Sequence, residues 1–322
     1  MNRVIYDWLT FTTKIHDLDS VMVMLGLCDV TFKQYSGRYG YADRLSFEGV
    51  NILYNGRDDM GICVEMSGKG CRTFETYGNG DYDKLFSEIL LNIGCKDMNI
   101  TRLDVAYDDF EGVLDLYYLM QAAQRGDYVS RLHDIEVVFS NKGCSVNHGN
   151  RYDSNVFIRI YDKKMEQKRE DIEHWIRCEM KLKDCCAKGF LKLGGDIRKN
   201  YFDVLNNYLH YVVPSVDKNK SQLPMSPEWL RFIEGWESVS IFDKPGKDYN
   251  IMNLDGYVRD QLSGALTTYI DSVGVPRFLA NILEAREGKP LNPRYTAIKS
   301  EVETSENNCK AILDYLREHG KL

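Results

Sequence analysis

Tyr161 ends the run Val156-Phe-Ile-Arg-Ile-Tyr161, two residues after Arg159 and directly before Asp162-Lys163-Lys164. Val156, Ile158 and Ile160 alternate with Phe157, Arg159 and Tyr161, the period of a strand with one buried face. A phenol is a weak nucleophile, with a pKa near ~10. Arg159 and Lys163 are placed to stabilise charge on a phosphate it attacks, and a covalent phosphotyrosine would keep the phosphodiester energy for rejoining. Downstream, Ile176, Cys178, Met180 and Leu182 alternate with Arg177, Glu179, Lys181 and Lys183. Glu179 therefore lies on the basic face of a second strand, where a carboxylate can hold a metal. Glu65 and Asp104 occupy polar faces of two further strands. If these strands are neighbours, three oxygen donors converge, a set that suits Mg²⁺ or Mn²⁺. Asp108 shares Asp104's face but lies about 13 Å further along at ~3.3 Å per residue. Each acid alone is ordinarily a solvated surface carboxylate, and a strand tyrosine, one of 21 here, is ordinarily packing. Periodicity leaves both readings open.

The elements that must position these groups follow in order. Val4–Thr12 reads as a strand, Leu18–Leu27 as a short helix, and residues 30–66 as a hairpin-rich meander. Gly68-Lys-Gly70 reads as a turn. Asp81–Ile93 has helical spacing, Ile100–Asp109 is a strand, Val113–Gln124 a helix and Ile135–Ser140 a strand. Gly143–Asn155 is a polar loop before the tyrosine strand, Lys163–Glu173 a charged helix or extended loop, and Trp175–Lys183 a strand. Two halves each run strand, helix, several strands, with a helix after the last, which allows an internal duplication. The fold class is α+β, an antiparallel sheet with helices on one face. Ile197–Tyr211 is helical; 212–226, with its prolines, is a linker; Pro227–Trp236, Leu254–Val273, Pro276–Glu287 and Ser305–Glu318 form a helical C-terminal region. The domains expected are thus 1–211, carrying the chemistry, and 227–322.

Composition excludes several classes. No apolar run approaches a membrane span, and the first 15 residues lack a signal peptide's pattern. Nine scattered cysteines without a Cys-x-x-Cys pair suit a reducing compartment, so the expectation is cytoplasmic. The histidines show no zinc-hydrolase spacing, and no Gly-x-x-x-x-Gly-Lys-Ser/Thr loop is present. Net charge is −7, which opposes a nucleic-acid binder chosen on charge alone, but the distribution is uneven. Residues 142–169 carry seven bases and three acids, whereas 97–140 carry nine acids and three bases. A basic surface beside clustered carboxylates fits phosphate binding next to a metal, although a solvated surface would give the same counts.

Five segments in order, spanning about residues 5–185, resemble the Rep_trans-type rolling-circle replication initiators and the related relaxases of integrative and conjugative elements. They are Asp7-Trp-Leu-Thr-Phe11, Val64-Glu-Met-Ser-Gly-Lys-Gly-Cys-Arg72, Thr101-Arg-Leu-Asp-Val-Ala106, Arg159-Ile-Tyr-Asp-Lys-Lys164 with Glu166, and Trp175-Ile-Arg-Cys-Glu179. The resemblance implies a nuclease core distantly like the HUH endonucleases, without their paired histidines. It implies a metal-dependent, site-specific DNA nickase and strand transferase, leaving a 5′-phosphotyrosine and a free 3′-OH. Tyr161 is then the nucleophile, assisted by Arg159 and Lys163. Asp104, Glu179 and Glu65 are the metal ligands. Lys164, Arg151, Arg177 and Lys181 hold DNA. One departure is His148-Gly-Asn-Arg151, where a Gly-Ser-Arg-like turn is expected: Arg151 keeps a cation but the hydroxyl is missing. The partner implied is origin DNA, single-stranded at the nick, with a host helicase and a second copy of the chain as further candidates. A non-catalytic DNA-binding regulator on the same scaffold is the alternative.

Overall fold

Ten strands join in one antiparallel sheet, and its organisation explains which side chains can meet. The computed structural model describes residues 1–93, 97–141, 143–214, 222–233, 240–241 and 258–286. The strands are β1 (Arg3–Thr13), β2 (Lys33–Ser36), β3 (Asp43–Phe47), β4 (Val50–Tyr54), β5 (Ile62–Met66), β6 (Met98–Asp109), β8 (Ile135–Ser140), β9 (Gly143–His148), β10 (Val156–Asp162) and β11 (Ile176–Lys183). Their order in the sheet is β2-β3-β4-β5-β1-β6-β11-β10-β9-β8. Two short strands, β7 (Tyr128–Ser130) and β12 (Leu209–Tyr211), pair separately. The helices are α1 (Leu18–Leu25), α2 (Gly68–Tyr77), α3 (Tyr82–Ile93), α4 (Leu116–Arg125), α5 (Lys163–Gln167), α6 (Asp184–Leu193), α7 (Ile197–Tyr208) and α8 (Pro227–Ile233).

The duplication is plain in the topology. The first half runs β1, α1, β2 to β5, α2, α3; the second runs β6, α4, β8 to β11, α6, α7, with β7 and α5 inserted. The leading strands β1 and β6 pair antiparallel at the centre, and each half's meander then runs outward in the same order. The halves are thus related by a pseudo-twofold axis, close to the pairing of Leu9 with Leu103.

One face of the sheet is apolar. Leu9, Phe11, Val64, Met66, Leu103, Val105, Ile158, Ile160, Cys178, Met180 and Leu182 are buried there with Phe74, Phe86, Phe190, Tyr201 and Phe202 of the helices. Each such side chain contributes about 1.5–3 kcal/mol when fully buried. Because side chains alternate, this burial also fixes register: a slip of one residue would turn the polar set into the core. The opposite face consequently presents Arg102, Asp104, Asp108, Arg177, Glu179, Arg159 and Tyr161.

Three sequence expectations need correction. Gly143–Asn155 is not all loop: Gly143–His148 forms β9, because Val146 and His148 bury on the core side while Ser145 and Asn147 take the other. Gly68-Lys-Gly70 is the first turn of α2, capped by the Ser67 hydroxyl, which accepts from the Gly70 N–H. Glycine is required there by closeness, since a Cβ on Gly70 would fall 2.3 Å from the Gly49 carbonyl oxygen. Finally, α8 does not open a separate helical region. Trp229, Phe232 and Ile233 are buried, Trp229 against Tyr211 and Phe232 against Tyr107 and Phe202. The first compact unit accordingly runs Met1–Asp243, and the second Lys244–Leu322. In the second unit a π-helical turn, Val258–Leu262, leads into α9 (Ser263–Val273), and α10 (Val275–Arg286) follows. Tyr269 of α9 meets Phe278 of α10 edge-on. The helix expected over 305–318 and the middle of the 212–226 linker lie outside the described residues.

Candidate active site

The polar face holds an open groove of about 460 Å³ lined by Asp7, Trp8, Arg102, Asp104, Arg151, Arg159, Tyr161, Lys163, Glu166, Trp175, Arg177 and Glu179, among others. Tyr161 is buried among them. Its hydroxyl is 3.1 Å from Glu179 Oε2 and 3.2 Å from Lys163 Nζ, so it donates to the carboxylate and accepts from the ammonium. The Arg159 guanidinium lies 4.1 Å from the centre of its ring. Burial, then the charge of Glu179, pushes the Tyr161 phenol well above its ordinary range.

Local sequence explains the lysine. Asp162 caps α5, accepting from the Met165 N–H at 2.8 Å, and the Lys163 and Lys164 amides both donate to the Trp175 carbonyl. This turn folds Lys163 back over the tyrosine, where it also pairs with Glu166. Glu166 lies 3.6 Å from Arg159 as well. Burial works against the Glu166 charge, but the Lys163 hydrogen bond and charge outweigh it and hold the carboxyl low.

Beside the tyrosine lies a buried ionic framework. Asp108 accepts from Arg177 Nε at 2.7 Å and Nη2 at 2.9 Å, from Trp175 Nε1 at 2.7 Å and from Arg3 Nε at 3.2 Å. Arg177 Nη1 reaches Asp7 at 2.8 Å. Asp7 is available because β1 bulges between Tyr6 and Trp8: Tyr6 packs with Tyr82 and Phe86, Trp8 stays on the polar face, and the extra residue enters the groove. Burial opposes charge on both partners, yet the paired hydrogen bonds win. Asp108 is held below its usual range and Arg177 above its own.

Asp104 and Glu179 stand on adjacent strands, β6 and β11, Asp104 opposite Lys181 and Glu179 opposite Ala106. Burial first, then Glu179, raises the Asp104 carboxyl to about 7, against the opposing hydrogen bonds from Arg102 at 2.9 and 2.5 Å. Arg102 in turn stacks on Trp8, 4.1 Å from the ring centre. Among the described residues no group of three His, Cys, Asp or Glu side chains is gathered as for a metal ion. Glu65, expected as the third ligand, is instead paired with Arg38 and is not among the residues lining the groove. The fit to a divalent ion is therefore through two carboxylates: the Glu179 charge disfavours ionisation of Asp104, and a cation there would relieve it.

The structure thus brings together Tyr161, Arg159, Lys163, Arg151, Arg177, Asp104 and Glu179. It sets Glu65 apart, as above, and two lysines besides. Lys164 Nζ donates to the Glu173 carbonyl at 3.2 Å, bracing the loop after α5, and Lys181 Nζ donates to the Arg151 carbonyl at 3.0 Å. Partial burial, with Arg102 and Lys183 nearby, lowers the Lys181 ammonium to about 8. Arg177 reaches the groove but its guanidinium is committed to Asp108 and Asp7, which fits a framing role better than a free DNA contact. Asp7, Trp8, Arg102, Glu166 and Trp175 were not assigned roles from sequence. Asp7-Trp8 could have signalled itself, since two polar-facing residues in succession break strand alternation.

The pseudo-twofold also explains why there is one such site. By register, Leu53 and Cys63 of the first half stand where Arg159 and Glu179 stand in the second. They pack with Tyr41 and Met60 into a small apolar cluster.

A family model described as "Replication initiation factor" matches residues 98–271, over half of the chain, and one described as "Rolling Circle replication initiation protein N-terminal domain" matches residues 3–90. A protein of Bacillus subtilis (strain 168), "Putative DNA relaxase NicK", is 26% identical over 266 residues, covering 76% of this chain and 74% of its own length. The solved structure of a rolling-circle replication initiator protein from Geobacillus stearothermophilus superposes with a TM-score of 0.66 at 29% identity, over 72% of this chain and 96% of that one. The two models fall on the two halves of the sheet, and the replication initiation factor model, over residues 98–271, spans every strand that carries the groove's tyrosine and paired carboxylates. The chain belongs to the rolling-circle replication initiation factor family.

Proposed function

We propose that this protein nicks one DNA strand at an origin-like site, with Tyr161 as nucleophile, and holds the 5′ end as a phosphotyrosine. The observation that carries the reading is the Tyr161 hydroxyl held between the Glu179 carboxylate and the Lys163 ammonium at 3.1 and 3.2 Å. Glu179 takes the phenolic proton as the Tyr161 oxygen attacks phosphorus. The new bond is tyrosine O–P; the bond broken is P–O3′, whose oxygen leaves with the electron pair and is protonated to a 3′-OH. Lys163 and Arg159 stabilise charge on the phenolate and the five-coordinate phosphorus. Arg151 holds the flanking backbone, and Arg177, locked by Asp108 and Asp7, keeps β11 and Glu179 in place. The buried phenol is protonated in the free protein, and its proton leaves only with attack, to Glu179.

Asp104 and Glu179 are the side chains that would hold Mg²⁺ or Mn²⁺. Such an ion, when bound, would supply Lewis-acid polarisation of the scissile phosphate. Supercoiled plasmid carrying the cognate origin should become nicked with Mg²⁺ and remain supercoiled in EDTA. Nicking at full rate in EDTA would remove the metal from the account. DNA binding with no nicking under any divalent ion would instead favour the non-catalytic regulator.

A further inference from the structure

We propose that a second groove, beside the tyrosine site on the same face, is a pocket for one unstacked guanine of the single strand; this rests on the reading of that face as the DNA track. The groove, about 520 Å³, lies at the β8 edge of the sheet and is lined in part by Glu136, Asn147, Arg151, Tyr152, Phe157 and Arg159. Arg151 and Arg159 also line the tyrosine groove, so the two adjoin. A strand whose phosphate lies at Tyr161 therefore has a neighbouring base within reach of this pocket.

The polar groups form a row across three strands. Asn147 of β9 stands opposite Glu136 of β8 on one side and Arg159 of β10 on the other. Asn147 Nδ2 donates to Glu136 Oε2 at 2.9 Å. A carboxylate can only accept, so this bond fixes which way the amide points. Asn147 Oδ1 is left buried with no hydrogen-bond partner among the protein's own groups, so its accepting capacity is unused. The row thus reads acceptor, acceptor, cationic donor.

Among the bases only guanine matches it in order. Its Watson–Crick edge presents the N2 amine and N1–H as adjacent donors, then O6 as an acceptor. Cytosine and adenine offer one donor group beside acceptors, and thymine places a carbonyl on each side of its single N–H, against which Glu136 and Asn147 are repulsive. Phe157 and the largely exposed Tyr152 supply aromatic surface for the base plane, the usual means by which splayed bases are held.

The test uses fluorescein-labelled oligothymidylate about 15 nucleotides long, unmodified or with one central thymidine replaced by dG, dC or dA. Binding is followed by anisotropy at fixed salt, in EDTA and in the Tyr161→Phe background, so that no cleavage intervenes. The dG oligonucleotide should bind about tenfold more tightly than oligothymidylate, with dC and dA between. Glu136→Gln turns one acceptor into a donor at an exposed edge position. It should erase the dG preference while leaving oligothymidylate affinity within about twofold. Equal affinity for all four oligonucleotides, or a dG preference that survives Glu136→Gln, overturns the pocket while leaving the nicking reading intact. No binding of any oligonucleotide overturns both.

Discussion

Tyr161 and Glu179 are diagonal rather than direct neighbours. Across β10 and β11, Tyr161 faces Arg177 and Glu179 faces Arg159, yet the phenol reaches the carboxylate at 3.1 Å. The diagonal leaves the space beside Tyr161 to Arg177 and sets Arg159 against the tyrosine ring, so acid, base and cations occupy different sides of one hydroxyl. Glu179→Gln keeps the shape but cannot take a proton. Nicking should fall about 10²- to 10⁴-fold with oligonucleotide affinity little changed, as measured by single-turnover cleavage and anisotropy.

Arg177 frames the site, and removing it leaves Asp108 buried without its main partner. Arg177→Ala should cost about 3–5 kcal/mol, read from urea unfolding at pH 7. Because Asp108 is held below the ordinary carboxylate range, its contribution is present above that range and is lost as pH falls through its lowered pKa. The gap between wild type and variant should therefore narrow only in strong acid.

Asp104 has the opposite sign. Its carboxyl is raised to about 7, above the unfolded value near ~3.9, so the stability it contributes is present below about pH 4 and lost as pH rises to about 7. A divalent ion bound to the ionised pair should restore it. Saturating Mn²⁺ should raise the melting temperature by about 5 °C at pH 8 and by much less at pH 5. Asp104→Asn should melt higher than wild type in EDTA at pH 8 and gain little from Mn²⁺, as followed by differential scanning fluorimetry.

His148 is fully buried, with its Nε2 2.9 Å from the Tyr211 hydroxyl, and burial lowers its pKa to about 3. The unfolded chain takes up a proton near ~6.5 and the folded chain does not, so stability falls as pH drops below that value. Between pH 6.5 and 5 this group alone should cost about 2 kcal/mol. Asp104 acts the other way in the same window. The comparison is therefore wild type against His148→Gln by urea unfolding at both pH values, where the variant should lose about 2 kcal/mol less.

Alternation made the central face legible in the sequence, since Ile158, Ile160, Cys178, Met180 and Leu182 must bury together and thereby turn Arg159, Tyr161, Arg177 and Glu179 to the other side. It could not say which strands are neighbours. Glu65 and Asp104 look equivalent by periodicity, but β5 lies beyond β1, where Arg38 takes Glu65, whereas β6 adjoins β11. Nor could composition distinguish β9 from a loop, because its glycine, serine and asparagine are polar-face residues of a strand whose Val146 and His148 bury. The bulge at Asp7 and the packing of Trp229 into the first unit depend on contacts far apart in the chain. The duplicated order of elements was visible; its consequence, one polar site and one apolar counterpart, required the register.

A covalent bond between DNA and Tyr161 is the direct mark of the proposed chemistry. Supercoiled cognate-origin DNA, labelled at the nick and incubated with protein and Mg²⁺, should yield a detergent-stable adduct. Protease digestion and mass spectrometry should place the phosphonucleotide on the peptide holding Tyr161. Tyr161→Phe should give no adduct while binding the same DNA with unchanged affinity. An adduct of equal yield from Tyr161→Phe, or nicked DNA with a free 5′-phosphate and no attached protein, would contradict the account.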